Sequence, residues 1–153
     1  MQKTKFSKSH SLTNLKYLFE KKKLLLNPEY QREAVWGNYQ KQLLIDSLLR
    51  DIDIPKLYFR VRAKDSKGSS KEYEVVDGQQ RLRSIFEFFN NDFALSEDSD
   101  DLDGHKIANC TYEQLPMDLQ IDFQNKTLDV VELIEYGMMT LRRCFCDCRM
   151  ERR

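Results

Sequence analysis

The sequence predicts an α+β domain, on three observations. Leu57, Phe59, Val61 and Ala63 alternate with Tyr58, Arg60 and Arg62, the period of a half-buried strand. Tyr73 to Val76 is a second β-type run, separated from the first by the polar stretch Lys64 to Lys71, so the two read as an antiparallel hairpin. Beyond Gly78, the residues Leu82, Ile85, Phe86 and Phe89 recur at steps of three and four, which places them on one helical face. The chain has 153 residues, of which 41% are hydrophobic and 11% aromatic, enough for one buried core.

Taken in order, residues 1–11 are polar and are expected to be mobile. Ser11 can cap a helix that runs to about Lys22, with Leu12, Leu15, Leu18 and Phe19 as its buried stripe. Lys21, Lys22 and Lys23 read either as a solvated helix end, where cations suit the dipole, or as contacts to nucleic-acid phosphates. Leu24 to Leu26 is a short extended piece before Pro28. Trp36 reads as a core or lid residue. Asn38 to Arg50 is a helix with Leu44, Ile45, Leu48, Leu49 and Ile52 on a wide apolar face, and Pro55 ends the pattern. Asp46 lies between these positions, either as a surface carboxylate or within reach of a site.

After the hairpin and its helix comes an acidic run from Glu97 to Asp103. It lacks the glycine and glutamate positions of a calcium loop and reads as a solvated loop. Leu115-Pro116 opens a short helix with Leu119 and Phe123 inward, and Thr127 to Tyr136 reads as a buried strand. The charge totals cancel, 25 basic against 25 acidic residues, but the front of the chain is basic and residues 92–135 are acidic, which suggests separate surfaces. No run approaches 18 apolar residues and the N-terminus has no apolar signal core, so no membrane span is expected and a cytoplasmic location is. Cys110 stands alone, and Cys144, Cys146 and Cys148 sit too close together to cross-link distant elements.

The chemistry concentrates where strand meets helix, at Asp77-Gly78-Gln79-Gln80-Arg81. A strand that enters a helix through one glycine leaves the first backbone N–H groups unpaired, with the positive end of the helix dipole behind them. Asp77 can hold a metal ion or cap the helix, the two amides can donate or accept, and the guanidinium of Arg81 suits phosphate or carboxylate. The plainer alternative makes Asp77 an N-cap, with Arg81 and Arg83 on a solvated face and Arg83 paired to Glu87.

These residues carry a resemblance. Val76-Asp77-Gly78-Gln79-Gln80-Arg81-Leu82 resembles the DGQQR signature of the N-terminal domain of GmrSD-type restriction systems. A second block agrees in order and spacing: Asn27-Pro28-Glu29-Tyr30-Gln31-Arg32, Val35-Trp36, Leu44-Ile45-Asp46-Ser47-Leu48-Leu49 and Ile54-Pro55. The resemblance covers about residues 12–136. It implies a ParB/sulfiredoxin-like fold, a small mixed sheet with surrounding helices. It also implies a nucleoside-triphosphate-binding and hydrolysing regulatory domain of a DNA-restriction, anti-phage system directed at modified DNA.

The implied site follows residue by residue. Gly78 and Arg81 hold phosphate oxygens, and Gln31 and Arg32 fold over the junction to bring a second guanidinium. Asp77 holds Mg²⁺ or orients water, and Gln79 or Gln80 positions that water. The only histidines are His10 and His105, neither in an H-N-H context, so a nuclease domain or subunit is expected elsewhere. The rival readings are a non-catalytic module that binds DNA or a partner through its basic half, and an inactive truncated remnant.

Residues 137–153 depart from the family, whose relatives continue with F-x-R-x-Q-N-G. Shifting the codon frame can turn Met138-Met139-Thr140 into Asp-Asp and Phe145-Cys146-Asp147-Cys148 into Leu-Arg-Leu-Gln. The same shift can turn Arg149-Met150-Glu151-Arg152-Arg153 into Asn-Gly-Thr-Thr. The tail therefore reads as out of frame. A thiolate metal site is the alternative, although the alternating cysteines lack both the usual gap and a fourth ligand.

Overall fold

The computed structural model describes residues 4–26, 29, 34–63 and 71–134. Among these residues nine elements follow one another: β1 (Thr4–Ser11), α1 (Leu12–Glu20), β2 (Leu24–Leu25), α2 (Asn38–Leu49), β3 (Leu57–Ala63), β4 (Lys71–Asp77), α3 (Gln79–Phe89), α4 (Met117–Asn125) and β5 (Thr127–Ile134). The strands form one mixed sheet in the order β1-β5-β3-β4-β2. β3 and β4 make the expected antiparallel hairpin, β5 runs parallel to β3, and β2 runs parallel to β4. The α+β class is the observed one.

Residues 4–11 correct one expectation. They form β1, an edge strand paired antiparallel along its whole length with β5, from Thr4 opposite Ile134 to Ser11 opposite Thr127. Lys5 to Ser9 are exposed, so β1 is held by backbone bonds rather than by an apolar face, and its lysines suit an edge that must not recruit another strand. Ser11 then caps α1 as expected, its hydroxyl accepting from the Asn14 N–H at 3.1 Å. The helix stops at Glu20, and Lys22 turns the chain with φ 59°.

One face of the sheet, carrying Leu57, Phe59, Val75, Leu128 and Val130, packs against the apolar sides of all four helices. α2 buries Leu44, Ile45, Leu48 and Leu49, but Ile52 lies beyond the helix end and is 55% exposed. Phe19 departs similarly from its expected burial: it is partly exposed and stacks on Phe86 at 4.6 Å. α4 begins after Pro116 and buries Leu119 and Phe123, as its spacing predicts.

The core face ends in polar groups. Glu132 is 3% exposed and faces Lys8 Nζ and His10 Nε2, each at 3.6 Å. His10 Nδ1 lies 2.9 Å from the Asn14 side-chain amide; when that amide donates, the neutral ring carries its proton on Nε2, toward Glu132. Burial, then the charge of Glu132, raises the pKa of Tyr73. Burial alone would lower that of Lys126, but its hydrogen bonds to Asp51 and Asp122 outweigh this and raise it.

Both groups thus hold their protons more tightly folded than unfolded. Their stabilisation is complete below about pH 10 and is lost as pH rises through the raised folded values. Melting temperature should therefore fall steeply above about pH 10, and Tyr73→Phe should flatten that fall. An alkaline limb identical in the variant and the parent would refute the assignment to Tyr73.

Candidate functional site

The site is built at the junction of β4 and α3. A bulge in the hairpin sets Tyr58 opposite Asp77 but Phe59 opposite Val75, so Val76 is the extra residue and Asp77 is re-aimed at the strand end. Gly78 follows with φ 108° and ψ 16°, a left-handed conformation. A Cβ here would collide with Leu57 Cδ2 and sit 3.2 Å from Arg81 Nη2, so the turn needs glycine for both its dihedral and its closeness.

α3 begins at Gln79, and the Leu82 N–H to Gly78 carbonyl bond of 3.0 Å closes its first turn. The N–H groups of Gln79, Gln80 and Arg81 precede that bond and so have no partner within the helix itself. The cap position is occupied by Gly78, so Asp77 stands one residue before it. Its Oδ1 lies 3.6 Å from Arg81 Nη2, while Arg81 Nη1 donates to the Pro55 carbonyl. One largely buried guanidinium thus ties the strand end to the Ile54-Pro55 segment that leads into β3. Arg83 is exposed, and Glu87 pairs with Lys41 of α2 at 2.6 Å.

The two glutamines are also buried. Gln79 Nε2 donates to the Val75 carbonyl at 3.3 Å. Gln80, 6% exposed, accepts the Trp36 backbone N–H on Oε1 at 3.2 Å, which fixes the orientation of its amide. Its Nε2 is buried and has no hydrogen-bond partner among the described residues. Trp36 itself packs half-buried against the core. The Val35-Trp36 piece of the second block thus reaches the junction.

The structure brings Asp77, Gly78, Gln79, Gln80 and Arg81 together, whereas Gln31 and Arg32 lie outside the described residues. So do residues 137–153 with Cys144, Cys146 and Cys148. Lys21, Lys22 and Lys23 are exposed at the other end of β4. Asp46 is tied to Arg50 at 3.0 Å and does not join the site. No three His, Cys, Asp or Glu side chains converge on a metal position among the described residues. A groove of about 490 Å³ lies beside the site, between Leu48 to Ile54 and Asp122 to Asp129; it is lined by four aspartates against one lysine, Lys126, which pairs with Asp51 and Asp122, and this makes it unsuited to phosphate.

With this geometry in place, the family model "GmrSD restriction endonuclease, N-terminal domain" matches residues 15–143. The chain belongs to that family. As a GmrSD N-terminal domain it is a component of a restriction-endonuclease system that includes a nuclease. No curated protein and no solved structure matches the chain. Among the described residues, no helix of this GmrSD domain is long and apolar enough to cross a membrane.

Two contributors to the site were hidden from sequence reasoning although their motifs were legible. Pro55 acts through its carbonyl and Trp36 through its N–H, and residue spacing carries no signal for a backbone atom received from another element.

Proposed function

We infer that the β4–α3 junction binds a nucleoside triphosphate together with Mg²⁺ and hydrolyses it, and that this step regulates the restriction system. The observation that carries the reading is Gln80 Nε2, a buried donor without an acceptor among the described residues, in the first turn of α3. Leaving such a donor unsatisfied costs about 1–3 kcal/mol, and a phosphate oxygen would relieve it. The positive end of the α3 dipole adds to this, being suited to an anion.

Asp77 supplies one carboxylate, which fits Mg²⁺ carried in by phosphates and not an all-protein metal cage. When bound there, the ion would neutralise charge on the transferring phosphoryl group. Arg81 holds Asp77 in place and adds positive charge, and the Gly78 turn lets the backbone approach the ligand closely. Gln79 and Gln80 supply the amides that orient an attacking water. Positioning and charge stabilisation are the main demands of phosphoryl transfer.

Thermal unfolding with each of the four nucleoside triphosphates and Mg²⁺ tests this. At about 100 times its dissociation constant, a ligand adds about 2.7 kcal/mol, several degrees for a domain of this size. The shift should occur with at least one triphosphate and be lost in Asp77→Asn, which keeps the side chain's shape. A transition indifferent to all four would overturn the reading.

A further inference from the structure

Lys21, Lys22 and Lys23 close α1, and Lys71 opens β4. All four are exposed, and none makes an ion pair among the described residues. The sheet brings them together: the Lys23 carbonyl accepts the Tyr73 N–H at 2.7 Å, which sets the lysine turn beside the start of β4. Tyr17, 54% exposed, lies under Lys21 with the ammonium 5.8 Å from its ring centre. The dipole of α1 accounts for cations at its own end but not for Lys71, which comes from a different element.

The acids of this end are engaged or set back. Glu74 is buried beneath Arg60 and Arg62 at 3.5 and 3.7 Å, and Glu72 is half-buried. The aspartate-lined groove lies toward the opposite end of the sheet, where β3 and β5 begin. Lys71 and Asp77 stand at the two ends of β4, about 20 Å apart at the rise of an extended strand.

We propose that this basic end, Lys21, Lys22, Lys23 and Lys71, binds the phosphate backbone of duplex DNA. Flexible ammonium groups suit phosphates read without regard to sequence. An acidic protein is the rival occupant, but protein interfaces are depleted in lysine. DNA is also what a restriction system acts on. The proposal stands apart from the nucleotide reading, and its test contains no nucleotide.

The test is fluorescence anisotropy of a labelled duplex titrated with the full chain between about 50 and 200 mM salt. Four phosphate contacts predict a slope of log K against log salt of about −3.6. Lys21→Gln/Lys22→Gln/Lys23→Gln should cut the slope to about −0.9 and weaken low-salt binding at least tenfold, while Lys106→Gln, on the acidic loop, should change neither. The exposed lysines leave the melting temperature of the triple variant at the parent value. Should it fall, the milder Lys71→Gln is read instead, with a slope about 0.9 shallower than the parent's.

Three results would overturn the proposal. The parent could fail to bind duplex in a salt-dependent way, or the variants could bind as the parent does. Alternatively, polyglutamate could bind in a lysine-dependent way where duplex does not, which would mark an acidic protein partner.

Discussion

Gly78→Ala should lower the melting temperature by about 10 °C. Holding a non-glycine residue in the left-handed region costs about 1–3 kcal/mol, and forcing a methyl into a filled space costs about as much again. Gly78 meets both conditions, with φ 108° and Leu57 Cδ2 in the way. Leu57 has no accessible surface and packs into the core, so it cannot swing aside cheaply. Each kcal/mol corresponds to about 2–4 °C for a domain of this size. Differential scanning calorimetry of Gly78→Ala, Leu57→Ala and the double variant checks this: the double variant should recover the steric part and retain the dihedral part. An unchanged melting temperature in Gly78→Ala would show that the turn at the site is not as described.

A loss of similar size is expected at the other end of the same helix. Phe88 has no accessible surface and lies 5.5 Å from the rings of both Phe93 and Phe123 and 6.0 Å from Tyr112. Truncation to alanine removes that packing and leaves a cavity, about 3–5 kcal/mol for a buried phenylalanine. Arg83→Ala, exposed on the same helix, is the control and should stay within about 0.5 kcal/mol. Urea unfolding of the two variants measures the difference, and equal midpoints would contradict the aromatic cluster. These rings lock α3 against α4 and the 93–112 segment, and so hold still the helix whose first turn forms the site.

The contrast between α3 and β1 shows how far residues announce their structure. α3 was legible because Leu82, Ile85, Phe86 and Phe89 repeat the helical period and Gly78 marks its start. β1 was not, because its one large apolar residue is Phe6, itself 47% exposed, and the strand is specified by its partner rather than by its own pattern. Ile52 continues the apolar spacing of α2, but the helix has already ended at Leu49, so the pattern outran the element. At the site, five neighbouring residues were placed by one short motif. The tie from Arg81 to Pro55 spans 26 residues and that from Gln80 to Trp36 spans 44, and both end on backbone atoms. Contacts of that kind are properties of the assembled sheet.

The position of β5 between β1 and β3 bears on how the domain emerges during synthesis. Among the described residues β5 is the last strand to leave the ribosome, yet it is the hydrogen-bonded link between β1 and β3. A nascent chain lacking residues 127–134 can close the local hairpin, but its first strand has nothing to pair with. Long-range pairing of this sort is slow and leaves strand edges open meanwhile. Folding is therefore expected to complete only after residue 134 clears the exit tunnel. A stop codon placed before residue 127 would leave β1 without its partner strand rather than a trimmed domain.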